Sequence, residues 1–176
     1  MIRLASAVCF GLLLAGCATA PGPRSFTLTP DDIERQIVAD LGTTFEPFRG
    51  LDMRRPEVEL MPVSERVQLT WTVRVLDGPN NVPLAVAVAV AGKPKLNAAR
   101  SGIELTEVAL EDVRVTGAPM LFSFWLAQFG DRKGTKLPDL PLVLLPAEQM
   151  TRKQVAYGAI GVVVTFTGLR VDLEPK

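Results

Sequence analysis

Alternation of apolar and polar residues marks the middle of the chain as strand. From Val67 to Val75 every second residue is apolar, and the residues between are Gln, Thr or Arg. A period of two predicts a strand with one dry and one wet face. From Leu84 to Ala91 the apolar positions alternate with alanine instead, so neither face is polar. Such a strand must be covered on both faces or line an apolar space, and the alanine face admits either a packed helix or an acyl chain.

Three segments favour helix. Thr29 to Asp32 combines a capping residue, a proline suited to the first turn and two acidic residues, and the apolar positions from Ile33 to Leu41 then share one face before Gly42. Ala147 to Tyr157 predicts a second amphipathic helix. Met120 to Phe129 is apolar nearly throughout and too short to span a membrane, which predicts a helix buried on almost every side.

The long segment from Ile103 to Val115 predicts a strand with irregularities. Its alternation slips near Glu107 and again at Glu111, which indicates bulges or a bend. The other predicted elements are a short strand at Phe26–Leu28, a polar loop at Gly92–Gly102, an extended stretch at Leu142–Leu145 and a terminal hairpin of Val162–Phe166 and Leu169–Leu173.

The N-terminus has the order of parts found in a secretory signal. A short region with one positive charge, Met1–Arg3, precedes the apolar run Leu4–Ala15, which is too short for a mature membrane span. The run ends in Leu14-Ala15-Gly16-Cys17, which resembles the lipobox of bacterial lipoproteins. We therefore expect a signal peptide over residues 1–16 and lipidation of Cys17. The alternative is an ordinary secretory signal with a coincidental cysteine.

The residues after the lipobox indicate where the protein is anchored. Residue 18 is Ala rather than Asp, so by resemblance to Gram-negative lipoproteins we expect the periplasmic face of the outer membrane. Two or three acyl chains on the N-terminus give stable anchoring, whereas one binds only marginally. The proline-rich stretch 17–25 is expected to be a lipidated tether, and residues 26–176 are expected to form one domain.

Composition limits the chemistry that the chain can perform. The 176 residues include 19 basic and 19 acidic side chains and no histidine, and 48% of them are hydrophobic. These values predict a folded domain and give no charge footprint for nucleic acid. Without histidine, and with its only mature cysteine acylated, the chain has no Ser-His or Cys-His pair and no disulfide. We expect no enzyme, no cofactor and no metal, although catalysis by carboxylates alone stays formally open.

The order of elements resembles the YceB-like lipoproteins, a family of unassigned function. The matching features are the lipobox, Ser25–Ile33, Ala87–Val90 with Lys93–Lys95, Gly102–Leu105 and Leu110–Val115, followed by an aromatic helix and a terminal hairpin. The resemblance implies an α+β fold similar to one half of the bactericidal permeability-increasing protein. In that tubular fold, a helix lies in the groove of a curved antiparallel sheet and lipid binds between them.

Two functions follow as expectations. The first is non-covalent binding of a lipid or another hydrophobic ligand between the sheet and its helices. The residues expected to contact that ligand are Val86, Val88, Phe122, Trp125, Leu126 and Phe129. The second is an envelope scaffold or assembly module with a solid core, which binds a protein, of unknown identity, through a sheet edge or groove. They differ in whether the apolar residues enclose an open volume or fill it.

Overall fold

The computed structural model describes residues 22–37, 56–75, 84–97, 99, 101–116 and 132–176. In chain order, the elements of this part are β1 (Arg24–Leu28), α1 (Pro30–Gln36), β2 (Glu57–Met61), a 3-10 turn (Pro62–Ser64), β3 (Arg66–Val75), β4 (Leu84–Asn97), β5 (Gly102–Thr116), β6 (Leu140–Leu144), α2 (Ala147–Met150), β7 (Thr151–Arg152), β8 (Val155–Val164) and β9 (Leu169–Pro175).

The strands form two antiparallel sheets that share one hydrophobic core. One sheet has the order β1-β9-β8-β7 and the other β2-β3-β4-β5-β6. The sheets approach each other most closely where β4 lies near β8. The core contains Leu28, Tyr157, Leu169, Val171 and Leu173 from the smaller sheet and Leu69, Trp71, Val88, Leu105, Leu140 and Leu142 from the larger sheet.

The expected α+β fold, with a helix packed in a curved sheet, is wrong. The described residues are mostly strand, and their one substantial helix, α1, has seven residues. Ile33 is the residue that α1 buries, which is too little apolar surface to fill the groove of a sheet. Ile37 already has an extended backbone, with φ −59° and ψ 131°, so the helix ends at Gln36. The rest of the predicted helix lies outside the described residues.

The predicted second helix from Ala147 to Tyr157 is also wrong beyond its first turn. The chain leaves the helical conformation at Thr151 and turns back at Lys153 and Gln154, whose φ angles are 48° and 66°. Strand β8 then begins at Val155 and pairs with β9. Pairing of Val155 and Ala156 with β7, and of Tyr157 with β9, outweighs the weak amphipathic pattern of this segment.

The predictions for the central strands are confirmed. Val67, Leu69 and Trp71 are fully buried, and the residues between them are not. The β4–β5 register shifts twice, once opposite Glu107 and once opposite Glu111, where the alternation slips in the sequence. Glu107 has φ 51° and forms an ion pair of 3.0 Å with Lys93 on β4. These two bulges bend β5, as its sequence predicts.

The predicted loop from Gly92 to Gly102 is instead largely strand. Strand β4 continues to Asn97 and pairs with β5 throughout this stretch. Pro94 is tolerated there because the pairing of β3 with β4 ends at Gly92, so a proline in this half of β4 interrupts no ladder on that side. The polar composition therefore marks the part of β4 where one strand edge is free of β3, rather than a loop.

The terminal hairpin is confirmed, and its turn fits closely against β1. Strands β8 and β9 pair from Tyr157↔Pro175 to Val164↔Leu169, and Gly168 lies in the turn. A Cβ at Gly168 would lie 2.3 Å from the carbonyl oxygen of Leu28 and 2.5 Å from Cγ2 of Thr27. Only glycine permits this approach without moving the backbone of β1.

Gly168→Ala should therefore destabilise the domain by about 2 kcal/mol or more, because the obstacle is backbone as well as side chain. Gly161→Ala, in β8, is the matched control, since its Cβ would meet only Oδ2 of Asp172 at 3.7 Å. Urea unfolding of both variants measures the difference. Equal stability of the two variants would contradict the close approach.

A capping box begins α1 as the sequence predicts. The Thr29 Oγ1 accepts a 3.2 Å hydrogen bond from the Asp32 N–H, and the Asp32 carboxylate accepts bonds from the Thr29 hydroxyl at 2.7 Å and the Thr29 N–H at 3.1 Å. The Thr29 hydroxyl, then its N–H and then Arg35 hold the pKa of Asp32 below its ordinary value of 3.8.

Because the pKa of Asp32 is lower in the folded chain, its stabilising effect is present above pH 3.8 and is lost as the pH falls through the folded value. Thr29→Ala should lower the free energy of unfolding by about 1 kcal/mol at neutral pH. The difference from the parent should shrink when the carboxylate is protonated. Chemical unfolding at pH 7 and pH 2 checks this, and a difference independent of pH would argue against it.

Candidate functional site

The two faces of strand β4 carry different side chains and lie in different environments. Its register places Val88 opposite Trp71 and Val90 opposite Leu69, so its valines share the buried face of β3. Its alanines share the other face with the polar residues of β3, such as Thr70. The doubly apolar pattern of β4 thus corresponds to a valine face in the core and an alanine face on the outside of the sheet.

The valine face is packed rather than open at the position where ligand contact was expected. Val88 is 0% exposed, and Val86 is half-buried and packs against the same core. The cross-strand neighbour of Val88, Trp71, is 1% exposed and is the largest of the fully buried side chains. The structure therefore brings Val86 and Val88 to one face, but Val88 is a core residue there.

The indole of Trp71 is unusual within this core. Its Nε1 is buried and has no hydrogen-bond partner among the residues that the structure describes. A buried donor without a partner costs about 1–3 kcal/mol relative to one that is satisfied. The inner face of β3 and β4 therefore carries one polar group that a bound water or the oxygen of a ligand could satisfy.

The other expected site residues cannot be placed against this face. Phe122, Trp125, Leu126 and Phe129 lie outside the described residues, as does Cys17 with the whole predicted signal peptide. Their predicted roles in ligand binding and lipidation stay predictions. Strand β1 begins at Arg24, so the last two residues assigned to the tether belong to the smaller sheet.

The alanine face is crossed by an ion pair between the neighbouring strands. Arg66 of β3 reaches Glu111 of β5 with an Nη1–Oε1 distance of 2.7 Å, and its Nη2 donates a 2.8 Å hydrogen bond to the carbonyl of Ala91 on β4. Both side chains are about 30% exposed or less. A larger residue than alanine at position 91 would obstruct this bridge, so the small side chains of β4 permit contact between β3 and β5.

Beyond this bridge the alanine face forms a shallow groove. Its floor is Ala87 and Ala89, and it encloses about 180 Å³. The four residues that form its walls are Gln68 and Thr70 on β3 and Asp112 and Arg114 on β5. Small-molecule sites usually enclose about 300–1,000 Å³. The groove is thus too small for an acyl chain and fits one or two side chains of a partner.

The walls of the groove carry both charges and neutral hydrogen-bonding groups. Asp112 and Arg114 pair with each other at 2.5 Å, and both are at least 42% exposed. On the opposite wall, Gln68 donates a 3.2 Å hydrogen bond to Glu59 of β2. Asp112, Arg114 and Gln68 each have further hydrogen-bonding capacity, so they can bind the N–H and C=O groups of an incoming polypeptide.

Sequence reasoning missed this groove although its signals are present. The alternating alanines indicate a close approach on one face, but they were expected to meet a helix or an acyl chain. The slips in alternation near Glu107 and Glu111 indicate bulges or a bend, but not which side chains these place beside the alanines. The β4–β5 register shifts at the bulge near Glu111, and this shift places Asp112 opposite Ala89. The sequence indicates where the bulge lies but not which face its side chains take.

Two other features, a membrane-spanning helix and a cluster of metal ligands, are absent from the described part of the chain. Within the described ranges, no helix has the length and apolar character to cross a membrane. The same ranges contain no cluster of three or more Asp, Glu, Cys or His side chains suited to a metal ion. Comparison of the chain with protein-family models, with curated proteins and with solved structures gives no match.

Proposed function

We propose that the chain is a non-catalytic binding module of the bacterial envelope that receives a protein partner on the outer face of its larger sheet. The observation that supports this proposal is the groove over Ala87 and Ala89, walled by polar residues of β3 and β5. The groove is rigid because its floor and walls belong to three paired strands. A rigid surface with a few polar groups costs little entropy on binding.

The groove favours a protein over a lipid for two reasons. Its volume of about 180 Å³ matches side chains rather than acyl chains. Its walls include the exposed ion pair of Asp112 and Arg114, and apolar chains gain nothing from charged neighbours. A polypeptide gains hydrogen bonds from the same groups.

Lipidation of Cys17 and the outer-membrane location belong to the same proposal. The lipobox-like sequence at residues 14–17 supports them, and the stretch from Cys17 to Pro23 would hold the domain away from the membrane surface. The proposed resemblance to the YceB-like lipoproteins is restricted to a lipid-anchored domain behind a short tether, and does not include the tubular fold.

We expect a photo-crosslinking residue at Thr70 to form an adduct with an envelope protein when the full chain is produced in bacteria. Ala87→Arg places a large side chain in the groove and should reduce that adduct by about tenfold or more, because the groove has room for little else. Immunoblotting quantifies the adduct and mass spectrometry identifies the crosslinked protein.

Phe166→Arg is the matched control, because Phe166 is 85% exposed in the turn between β8 and β9 and does not line the groove. It should leave the adduct unchanged. A second control places the crosslinker at Val63, which is 95% exposed in the 3-10 turn. Equal adducts from Thr70 and Val63, or an adduct that Ala87→Arg does not reduce, would reject the groove as the binding surface.

A second candidate function, carriage of a lipid or another hydrophobic ligand, is favoured by the unpartnered Nε1 of Trp71. A fatty acid or ester beside Val86 would offer both an acyl chain and an oxygen that accepts this hydrogen bond. Phe122, Trp125, Leu126 and Phe129 would complete that site. The expected helix over the sheet no longer supports this candidate, since the described fold consists mainly of strands.

Native mass spectrometry of residues 18–176, secreted and purified without detergent, separates the two candidates. Carriage requires a co-purified lipid or uptake of a fluorescent fatty acid. Trp71→Phe, which keeps the ring but loses the N–H, should then weaken uptake by about fivefold, and Trp125→Ala should weaken it without unfolding the domain. Protein that is free of lipid and ignores the added fatty acid would exclude carriage.

A further inference from the structure

The two ends of the groove over Ala87 and Ala89 differ in charge. At the Ala89 end, the register sets one residue from each of β2, β3, β4 and β5 in a single row: Glu57, Thr70, Ala89 and Asp112. Residues directly opposite each other in antiparallel strands point to the same face. Because Thr70 and Asp112 line the groove, Glu57 lies on the same outer face. The Ala89 end therefore has a carboxylate on either side.

A third carboxylate lies beside the same end. Glu59 is opposite Gln68, and its Oε2 accepts the 3.2 Å hydrogen bond from the Gln68 amide, which lines the groove. Glu57 and Glu59 are both exposed. Neither of them forms an ion pair with another side chain that the structure describes. Their charges therefore remain available to a partner.

The guanidinium groups beside the groove are already paired. Arg66 forms its 2.7 Å ion pair with Glu111, and Arg114 forms its 2.5 Å ion pair with Asp112. Among the described side chains that surround the groove, four carboxylates thus accompany two guanidinium groups. The excess is negative, and it is concentrated on the side of β2.

We propose that the partner's contact segment is basic and sets a lysine or arginine side chain over Ala89. This inference rests on the function proposed for the groove and specifies the chemistry of the partner. A cation over Ala89 lies between Glu57 and Asp112, whose strands are three spacings, or about 14 Å, apart. Each carboxylate is therefore within about 10 Å of the cation, which is the screening length at 0.1 M salt.

The other end of the groove gives the bound segment a direction. Arg114, opposite Ala87, is 79% exposed and pairs with Asp112 through its Nε. Its Nη donors can bind a backbone carbonyl of the partner. An acidic segment or a lipid phosphate is disfavoured, because its negative charge would lie beside Glu57 and Glu59.

Reversal of the two unpaired glutamates tests this chemistry in the full chain with the photo-crosslinking residue at Thr70. Glu57→Lys/Glu59→Lys should reduce the adduct by about tenfold or more, because attraction becomes repulsion. Glu57→Gln/Glu59→Gln should reduce it by a smaller factor. Raising the salt concentration of isolated envelopes from about 0.05 M to about 0.5 M before irradiation should also lower the adduct of the parent several-fold.

Glu148→Lys/Glu174→Lys is the matched control. It makes the same change of charge at two exposed glutamates, in α2 and in β9, that do not line the groove. It should leave the adduct unchanged. Circular dichroism and urea unfolding confirm that all these variants are folded.

A charge exchange tests the contact directly. Mass spectrometry of the adduct maps the partner residue that lies beside Thr70. Replacing the nearest lysine or arginine of the partner by glutamate should abolish the adduct with the parent chain. The same partner variant should regain the adduct with the Glu57→Lys/Glu59→Lys chain, because the two charges are then exchanged.

An adduct that resists both charge reversal and salt overturns the basic segment, and so does a mapped contact segment that is acidic or a lipid. If Ala87→Arg still abolishes the adduct in that experiment, the groove remains the binding surface and only the chemistry of the partner is wrong. If Ala87→Arg leaves the adduct unchanged, or no adduct forms at Thr70, both the groove function and the basic segment are rejected.

Discussion

The rest of the structure depends on burial of the valine face of β4, which lies beside the apolar residues of β3 and faces the core shared with the smaller sheet. Val88 and Val90 are both 0% exposed, and they lie opposite Trp71 and Leu69. A shift of one residue would move the valines to the outer face of the sheet, so burial of the inner face fixes the register. The same register turns the alanines outward. Both surfaces of the larger sheet therefore follow from one packing constraint.

The outer surface is shaped by what small side chains allow. Because Ala91 is small, Arg66 spans β4 and pairs with Glu111, which lies at a bulge in β5. The bulge adds a residue to β5 and so brings Asp112 opposite Ala89. The groove thus forms because β4 has small side chains on this face, whereas β3 and β5 on either side have larger ones. Its size, about 180 Å³, suits amino-acid side chains better than an acyl chain.

The smaller sheet follows a different principle, since its β8 edge carries no protecting charge or proline. On the edge of β2, the Val58 N–H already donates to the Glu34 carboxylate. On the edge of β8, the apolar side chains of Ile160 and Val163 are exposed instead.

The sequence by itself determined the features that depend on local chemistry. The capping box at Thr29, the alternation along β3, the two bulges of β5 and the terminal hairpin all follow from patterns a few residues long. Tertiary structure decided the features that depend on competition between distant segments. Pairing with β7 and β9 turned Val155–Tyr157 into strand, and the end of β3 allowed Gly92–Asn97 to remain strand despite Pro94. The fold class was wrong for the same reason: helix periodicity is a local signal, but whether a helix or a second sheet covers the core depends on long-range burial that no local window contains.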